Sequence, residues 1–314
     1  MVVRNGEPYP HILPPEEWER NLWPGIRSKS AHSLTQYIAG KIQPHTDKNH
    51  LNSSWVLCAN LYFPFRRSQQ DMGILAAFLR EHVAPEIGIV KGIELEFEGE
   101  GDLHPSRLLG EIGGVRGKGQ TTPDVAFEVT TNSGCKGLIL TESKFTESSF
   151  GPCSAFRPRE KNGRSANPDS ARCLDVKGLL ASPKTQCHQY AWGRRYWDHL
   201  ITNESAVQRL SCCPAARGGY QLLRQQALAE GIARSGEFEL VISCVAYDER
   251  NGPLIRSLRR AGMNSFVTEW RGVFKGKARF RTFTHQLWAA WVRQHDASGR
   301  WLDWSEYIRN RYGY

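Results

Sequence analysis

Apolar residues alternate with other residues along a short run that begins at Asp124 (DVAFEV), and a second apolar run opens at Leu138. A period of two is typical of a strand with one buried face. The segment between the two runs, TNSGCKG, has the composition of a turn. The pattern predicts a hairpin within residues 121–147, in which Asp124 and Glu142 face each other.

Other parts of the chain predict the rest of a sheet and its helices. Residues 90–98 alternate apolar side chains with glutamates, and residues 238–247 are almost continuously apolar, as in a buried central strand. Helical spacing or composition predicts helices at 55–63, 72–83, 182–197, 219–233, 284–294 and 301–312, and residues 266–274 are predicted as a strand. We expect an α/β fold, with helices on both faces of a mixed sheet that has strands near 90–98, 122–130, 137–146 and 238–247.

The chain of 314 residues divides into three predicted regions. Residues 1–50 form an irregular N-terminal arm, because its prolines stop any long helix and its aromatic residues argue against disorder. These aromatic residues are Trp18, Trp23 and Tyr37. Residues 51–250 form the core, and residues 251–314 form a C-terminal extension packed on it. A basic insertion near 148–181 interrupts the core and contains Arg157, Arg159, Lys161, Arg164 and Arg172.

Two residues of the second predicted strand indicate a reaction that depends on a metal ion. Glu142 and Lys144 are two positions apart, so a strand points both to one face and Ser143 to the other. A carboxylate and an ammonium group beside an apolar run are costly to desolvate without a charged ligand. Asp124 and Glu142 can bind Mg²⁺, which takes oxygen ligands, and Lys144 can hold an attacking water or a phosphate.

The hairpin residues resemble the signature of a known family. Pro123-Asp124 followed by Glu142-Ser143-Lys144 is similar to the PD-(D/E)xK motif of the restriction-endonuclease-like nuclease superfamily. The alternative interpretation is an ordinary Glu/Lys pair at a solvated strand edge. The resemblance covers about residues 50–250 and implies a restriction-endonuclease-like core.

A downstream segment, SPKTQCHQY, adds to the resemblance. Ser182 and Pro183 suit the start of a helix, and Gln186 and Tyr190 lie one helical turn apart. Two strands followed by such a helix resemble the RecB-type and lambda-exonuclease-type branch, in which the glutamine and tyrosine lie beside the metal site. The alternative is a half-buried amphipathic helix face.

The resemblance implies a nuclease that uses Mg²⁺ or Mn²⁺ to hydrolyse phosphodiester bonds, with DNA as the expected substrate in restriction, defence or repair. Asp124 and Glu142 are implied to bind the metal, and Lys144 to orient water and stabilise the developing charge. Gln186 and Tyr190 are implied to support the site. A catalytically inactive nucleic-acid-binding protein of the same fold is the alternative, because fold does not determine function.

A third carboxylate is expected ahead of the hairpin. Glu94, Glu96 and Glu98 alternate with apolar residues, and three carboxylates on one face are more stable when a cation lies at the strand end. Superfamily members often supply a further metal-binding glutamate here, so Glu98 is the candidate ligand and Glu96 its alternative. Glu111, Glu81 and His82 are weaker competitors, and a solvent-facing acidic strand is the other interpretation.

The formal net charge of +9 favours an anionic partner such as nucleic acid. A glycine-rich loop ahead of the hairpin, residues 103–120, contains Arg116 and Lys118, which can approach a phosphate. Arg194 and Trp197 continue the stripe of the Gln-x-x-x-Tyr helix and suit phosphate contact and base stacking. These residues predict a groove for nucleic acid, with a solvated loop as the alternative for the glycine-rich segment.

Eight cysteines without a secretory signal indicate reduced thiols or metal ligands, not a disulfide framework. Four of them surround the predicted core and could converge on one tetrahedral metal site: Cys153, Cys173, Cys187 and Cys213. Some nucleases of the resembled branch carry an iron-sulfur cluster on cysteines, but the tight spacing of those cysteines is absent here. Zinc, an iron-sulfur cluster and unligated thiols all remain open.

The chain contains no apolar run of about 18 residues, the length that suggests a transmembrane helix. Its N-terminus, MVVRNG, also lacks the apolar core of a signal peptide. We therefore expect a soluble cytoplasmic protein without a membrane partner. The sequence does not indicate its oligomeric state.

Overall fold

The computed structural model describes residues 2–4, 7–43, 45–156 and 165–314. Four basic residues of the predicted insertion, Arg157, Arg159, Lys161 and Arg164, lie outside the described residues. The strands are β1 (Val2–Arg4), β2 (Glu7–Tyr9), β3 (Ile87–Leu95), β4 (Val125–Thr131), β5 (Lys136–Lys144), β6 (Ile201–Thr202), β7 (Leu240–Tyr247), β8 (Phe274–Lys275) and β9 (Arg279–Thr284). The helices are α1 (Leu34–Ile38), α2 (Ser54–Tyr62), α3 (Gln69–His82), α4 (Pro105–Leu108), α5 (Val176–Ala181), α6 (Pro183–Gln186), α7 (His188–Ala191), α8 (Tyr196–His199), α9 (Glu204–Val207), α10 (Tyr220–Ser235), α11 (Gly252–Ile255), α12 (Phe266–Glu269), α13 (His285–His295) and α14 (Leu302–Tyr312). None of the helices in these ranges is both long and apolar enough to cross a membrane.

A mixed five-stranded sheet in the order β3-β4-β5-β7-β9 forms the centre of the fold. β3, β4 and β5 are antiparallel neighbours, whereas β7 and β9 continue the sheet in parallel with β5. All eight residues of β7 are buried, which agrees with its nearly continuous apolar sequence. The predicted α/β fold with a mixed central sheet is therefore confirmed.

Helices cover both faces of this sheet. On one face, α2, α3, α13 and α14 surround a cluster of buried aromatic side chains: Trp55, Tyr62, Phe65, Phe78, Trp288, Trp301 and Trp304. Trp18 and Trp23 of the N-terminal arm belong to the same cluster. On the other face, α10 lies against the sheet, and short helices and turns pack around it. The second face carries the candidate sites described below.

The predicted continuous helix over residues 182–197 is wrong. The segment forms three separate turns, α6, α7 and α8. Cys187 is extended (φ −81°, ψ 117°), and Gly193 adopts a left-handed φ of 77°, which glycine tolerates without steric cost. Gln186 and Tyr190 therefore lie on different helices, and the predicted stripe that continues to Arg194 and Trp197 does not form.

The predicted strand over residues 266–274 is also wrong. The segment forms α12 and a 3-10 turn at Trp270–Gly272, with Phe266 and Trp270 buried one helical turn apart. A short apolar run does not distinguish a strand from a buried helical turn. The fifth strand of the sheet is instead β9, which pairs in parallel with β7.

Candidate active site

Asp124, Glu142 and Lys144 come together where β4 begins and β5 ends. The antiparallel register pairs Val125 with Thr141, so that Asp124 lies next to Glu142. The backbone N–H of Ser143 donates to Asp124 Oδ2 at 2.7 Å, and Lys144 Nζ donates to Glu142 Oε1 at 2.7 Å. The hairpin pattern thus places all three side chains as the sequence predicts.

Burial makes the charges at this position strongly interdependent. Asp124, Glu142 and Lys144 are at most 9% exposed. Burial and then the neighbouring Glu142 carboxylate raise the pKa of Asp124 well above its usual range. Burial by itself lowers the pKa of the Lys144 ammonium group. The carboxylates of Glu142, Glu147 and Asp124 have the larger combined effect and raise this pKa. The carboxylates therefore repel each other while they hold Lys144 charged.

Two further residues complete an acidic group with Asp124. The donor atoms of His45, Glu96 and Asp124 all lie within 4.8 Å of one another. His45 Nε2 is 2.9 Å from Glu96 Oε1, and Glu96 is 1% exposed. Burial opposes the charge on His45, but its interactions with Glu96 raise its pKa to about 9. The N-terminal arm therefore contributes a residue that sequence reasoning did not single out.

Glu96 reaches the site because the backbone leaves the strand conformation at that residue. β3 ends at Leu95, and Glu96 has a left-handed φ of 51°, which is unfavourable for a residue with a side chain. Arg116 stabilises the bend, since its guanidinium donates to the carbonyl oxygens of Leu95 at 2.6 Å and of Glu96 at 2.9 Å. A position that costs backbone energy and carries a buried carboxylate is a candidate for function.

The three alternating glutamates do not share one face, so the expected acidic strand face is wrong. Glu94 pairs with Arg116 at 2.7 Å. Glu98 accepts a hydrogen bond from Gln120 at 2.7 Å and lies 3.0 Å from His104 Nε2. The structure therefore brings Glu96, the alternative candidate, next to Asp124. Metal binding by Glu98 stays a prediction.

α10 forms one wall of the cleft that contains these carboxylates. The cleft has a volume of about 140 Å³, and Gln221, Arg224 and Gln225 of α10 line it together with Asp124 and Glu142. Gln225 Nε2 binds the carbonyl oxygens of two sheet strands, at 3.1 Å in β5 and 2.8 Å in β7. The signal in the sequence is the spacing of Gln221, Arg224 and Gln225 about one turn apart on the predicted helix 219–233, on the side away from its apolar positions.

Glu111 belongs to a buried network at the side of the cleft. It is 1% exposed and accepts hydrogen bonds from the Tyr196 hydroxyl at 2.7 Å and the Thr121 hydroxyl at 2.9 Å. Arg224 Nε lies 3.2 Å from the same carboxylate. Burial opposes the charge on Arg224, but Glu111 outweighs it and raises the pKa of the guanidinium. Glu111 is thus engaged in holding Arg224 in the cleft wall.

Behind the hairpin, His285 supports the backbone of the candidate site. The ring is fully buried, with Nε2 3.2 Å from the Lys144 carbonyl oxygen and Nδ1 3.2 Å from the Tyr62 hydroxyl. Burial lowers the pKa of His285 to about 4. The ring is therefore neutral in the folded protein at neutral pH.

This burial predicts a pH-dependent stability. An unfolded histidine titrates near pH 6.5, so His285 stabilises the fold above that pH, and this contribution is lost as the pH falls toward 4. Between neutral pH and about pH 5, we expect the wild type to lose about 2 kcal/mol more unfolding free energy than His285→Gln. Urea unfolding of both proteins at the two pH values measures the difference. Equal losses would show that His285 titrates normally in the fold.

The four residues predicted to contact nucleic acid lie in different surroundings. Lys118 is exposed and lines the cleft, on a tight turn in which Val115 and Lys118 exchange backbone hydrogen bonds. Arg116 is engaged with β3, as described above. Arg194 is 5% exposed and donates to the Gly110 carbonyl oxygen at 2.6 Å, and Trp197 is 6% exposed. Lys118 is therefore the one of the four that is placed to meet a ligand in the cleft.

The cysteines predicted as metal ligands come together away from the acidic cleft. Cys153, Cys173, Cys187 and Cys213 line one cavity of about 20 Å³. Gln186 and Tyr190 lie on either side of Cys187 in the sequence and are not among the residues that line the acidic cleft. The assignment to the branch with a Gln-x-x-x-Tyr helix stays a prediction.

Comparison with known proteins identifies one family. A family model described as Restriction Endonuclease associating with ARP matches residues 1–313. Neither the curated proteins nor the solved structures compared with the chain include a match. The match extends over the arm, the sheet and the C-terminal helices together.

Proposed function

Because the chain belongs to the family described as Restriction Endonuclease associating with ARP, we propose that it is a metal-dependent nuclease that hydrolyses phosphodiester bonds in DNA. The family supports nuclease activity and nucleic-acid binding, and the proposal adds the metal ion, the substrate and the residues. The observation that carries it is that Asp124 and Glu142 line one cleft, and that Lys144 Nζ donates to Glu142 Oε1 at 2.7 Å.

The residues of the cleft fit a hard divalent cation. Glu96, Asp124 and Glu142 offer carboxylate oxygens, the donors that Mg²⁺ and Mn²⁺ prefer. The Ser143 N–H donates to Asp124 Oδ2. In the described part of the chain, Asp124 Oδ1 accepts no hydrogen bond. His45 orients Glu96 through its Nε2. A cation would also relieve the repulsion between buried carboxylates.

When bound, such an ion polarises a phosphoryl oxygen and lowers the pKa of a bound water. Lys144 then acts on the attacking water or on the phosphate. Its ammonium group has three donors, of which the Glu142 carboxylate accepts one at 2.7 Å. The raised pKa keeps this group charged at neutral pH, so it can stabilise negative charge that develops on the phosphate.

The net positive charge of the chain favours a polyanionic substrate. The net charge of +9 attracts a phosphate backbone, and Lys118 is exposed at the cleft. Arg224 is charged in the cleft wall, although Glu111 holds its Nε. A phosphodiester that enters the cleft therefore meets the positive charges of Lys118 and Arg224 as well as the carboxylates.

We expect purified protein to cleave DNA with Mg²⁺ or Mn²⁺ and to lose this activity in EDTA. Plasmid, linear duplex, single-stranded DNA and RNA are incubated in parallel, and the products are resolved on gels. Cleavage that persists in EDTA would contradict the metal dependence. Binding of DNA without cleavage under any of these conditions would favour the catalytically inactive alternative.

Lys144→Ala serves as the test for a contaminating nuclease. Its matched control is Lys136→Ala at the other end of β5, where the side chain is 71% exposed and 3.6 Å from Glu237. We expect the first variant to lose cleavage and the second to retain it. Equal activity of both variants would remove Lys144 from the proposed site.

A further inference from the structure

Four cysteines from separate segments line one small cavity next to α10: Cys153, Cys173, Cys187 and Cys213. Cys153 precedes a 3-10 turn, Cys173 ends another, and Cys187 lies between α6 and α7. The backbone N–H of Cys213 donates to the Cys173 carbonyl oxygen at 2.9 Å, which joins two of the segments. All four are free thiols. The fold therefore gathers a complete set of four sulfur donors.

Short helical turns fix the backbone at three of these cysteines. Cys153, Cys187 and Cys213 each come directly before such a turn. The N–H groups of Phe156, Tyr190 and Ala216 donate to the carbonyl oxygens of these three cysteines at 3.1, 2.9 and 3.0 Å. Each of the three cysteines is therefore held at the start of a turn that packs beside the cavity.

A buried amide side chain also points to a polar role for the cavity. Gln189 is 2% exposed and lines the cavity, and its Nε2 donates to Cys153 Sγ at 3.2 Å. Its Oε1 is buried and has no hydrogen-bond partner among the described residues. An apolar cluster of inert thiols gives no reason to bury such a group.

The size of the cavity limits what it can hold. A volume of about 20 Å³ is close to that of one water-sized sphere, whereas an iron-sulfur cluster consists of several iron and sulfide atoms. The sulfur atoms are not at ligand spacing, since His45, Glu96 and Asp124 form the group of described residues whose donor atoms lie within 4.8 Å. Binding would therefore draw the cysteine segments inward around one ion.

We propose that Cys153, Cys173, Cys187 and Cys213 bind one thiophilic metal ion, with zinc as the first candidate, at a site separate from the acidic cleft. Each cysteine that binds releases its thiol proton to solvent and donates a sulfur lone pair to the ion. Zinc suits this set because it accepts four thiolates in tetrahedral geometry and needs no redox partner.

The surrounding structure explains what the ion would stabilise. α5, α6, α7 and α8 have four to six residues each, and isolated helices of this length are not stable in water. One ion would tie these turns to the segment that precedes α10. Tyr196 lines the same cavity and donates to Glu111, which holds Arg224 in the cleft wall. The metal would therefore also steady one side of the cleft.

Elemental analysis of the full-length protein, purified without added metal and after dialysis against zinc, tests the proposal. We expect one zinc per chain in the wild type and at least a tenfold loss in Cys173→Ser. Cys212→Ser is the matched control, because Cys212 is adjacent to Cys213 but donates to the Cys213 and Arg260 carbonyl oxygens and does not line the cavity. This control should keep its zinc.

Two measurements remain informative if the serine variants fold poorly. Wild-type protein loaded with Co²⁺ should show the sulfur-to-cobalt charge-transfer bands and the visible bands of a tetrahedral site. Removal of the native metal with a strong chelator should lower the midpoint of thermal unfolding by about 5 °C or more and expose thiols to alkylation. Neither readout depends on nuclease activity.

Wild-type protein without stoichiometric metal, and with no cobalt-thiolate bands, would overturn the proposal and leave the cysteines as core residues. Iron and acid-labile sulfide in place of zinc would overturn the single-ion site. Zinc that remains bound in Cys173→Ser would place it on other residues. None of these outcomes is read from DNA cleavage. Failure of the metal proposal therefore leaves the nuclease proposal to its own test.

Discussion

Asp124→Asn is expected to lower the rate of metal-dependent DNA cleavage by about 10³-fold or more. The change keeps the shape of the side chain and the acceptor for Ser143 N–H, but it removes a carboxylate that the proposed metal needs. The same change should raise the thermal unfolding midpoint in EDTA by about 2 °C, because burial and Glu142 oppose the charge on Asp124. Single-turnover cleavage and thermal unfolding measure the two effects.

The opposite directions of these effects separate loss of function from loss of fold. Glu128→Gln on the same strand is the matched control, since Glu128 is exposed and does not line the cleft. We expect this control to cleave at the wild-type rate. Wild-type cleavage by Asp124→Asn would show that the chemistry takes place elsewhere in the chain.

The second large effect is expected at Glu96, which the structure places beside Asp124. Glu96→Gln should lower cleavage by about 10²-fold and raise the Mg²⁺ concentration needed for half-maximal activity, because one carboxylate ligand is lost. Glu98→Gln should stay within about threefold of the wild type, because its carboxylate binds Gln120 and His104 instead. Cleavage rates over a Mg²⁺ titration compare the two variants.

The comparison of Glu96→Gln with Glu98→Gln also tests whether the backbone bend at Glu96 directs that side chain, and not Glu98, to the metal. Both residues precede the hairpin and carry the same side chain, so differences in charge or helix propensity cannot explain unequal effects. A larger loss for Glu98→Gln than for Glu96→Gln would contradict the placement of Glu96 in the cleft. It would restore the ligand that the alternating sequence pattern first favoured.

Local periodicity was sufficient to predict the direction of side chains where residues close in the chain determine the geometry. Glu142 and Lys144 share a face because strand side chains alternate, and the length of the turn sets Asp124 opposite Glu142. The apolar runs likewise predict α2, α3, α10, α13 and α14, whose helical stripes pack on the sheet. Three proposed active-site residues therefore followed from fewer than thirty positions of sequence.

Periodicity failed where a single backbone bend changes the direction of a side chain. The left-handed φ of 51° at Glu96 breaks the alternation that would have aligned it with Glu94 and Glu98. Gly193 and Cys187 interrupt the segment that a helical pattern predicts as one helix. Such bends depend on long-range partners, for example Arg116 on the carbonyl oxygens of Leu95 and Glu96, which have no local signature.

The sequence by itself determined the α/β class through local periodicity. It also determined the hairpin and the grouping of Asp124, Glu142 and Lys144, because these follow from contacts between residues close in the chain. The tertiary structure decided that His45 joins this group, that α10 forms the cleft wall, and that four distant cysteines share one cavity. His45 and Asp124 are 79 positions apart and Cys153 and Cys213 are 60 apart, and only the packing of the sheet and helices sets the distances between such residues.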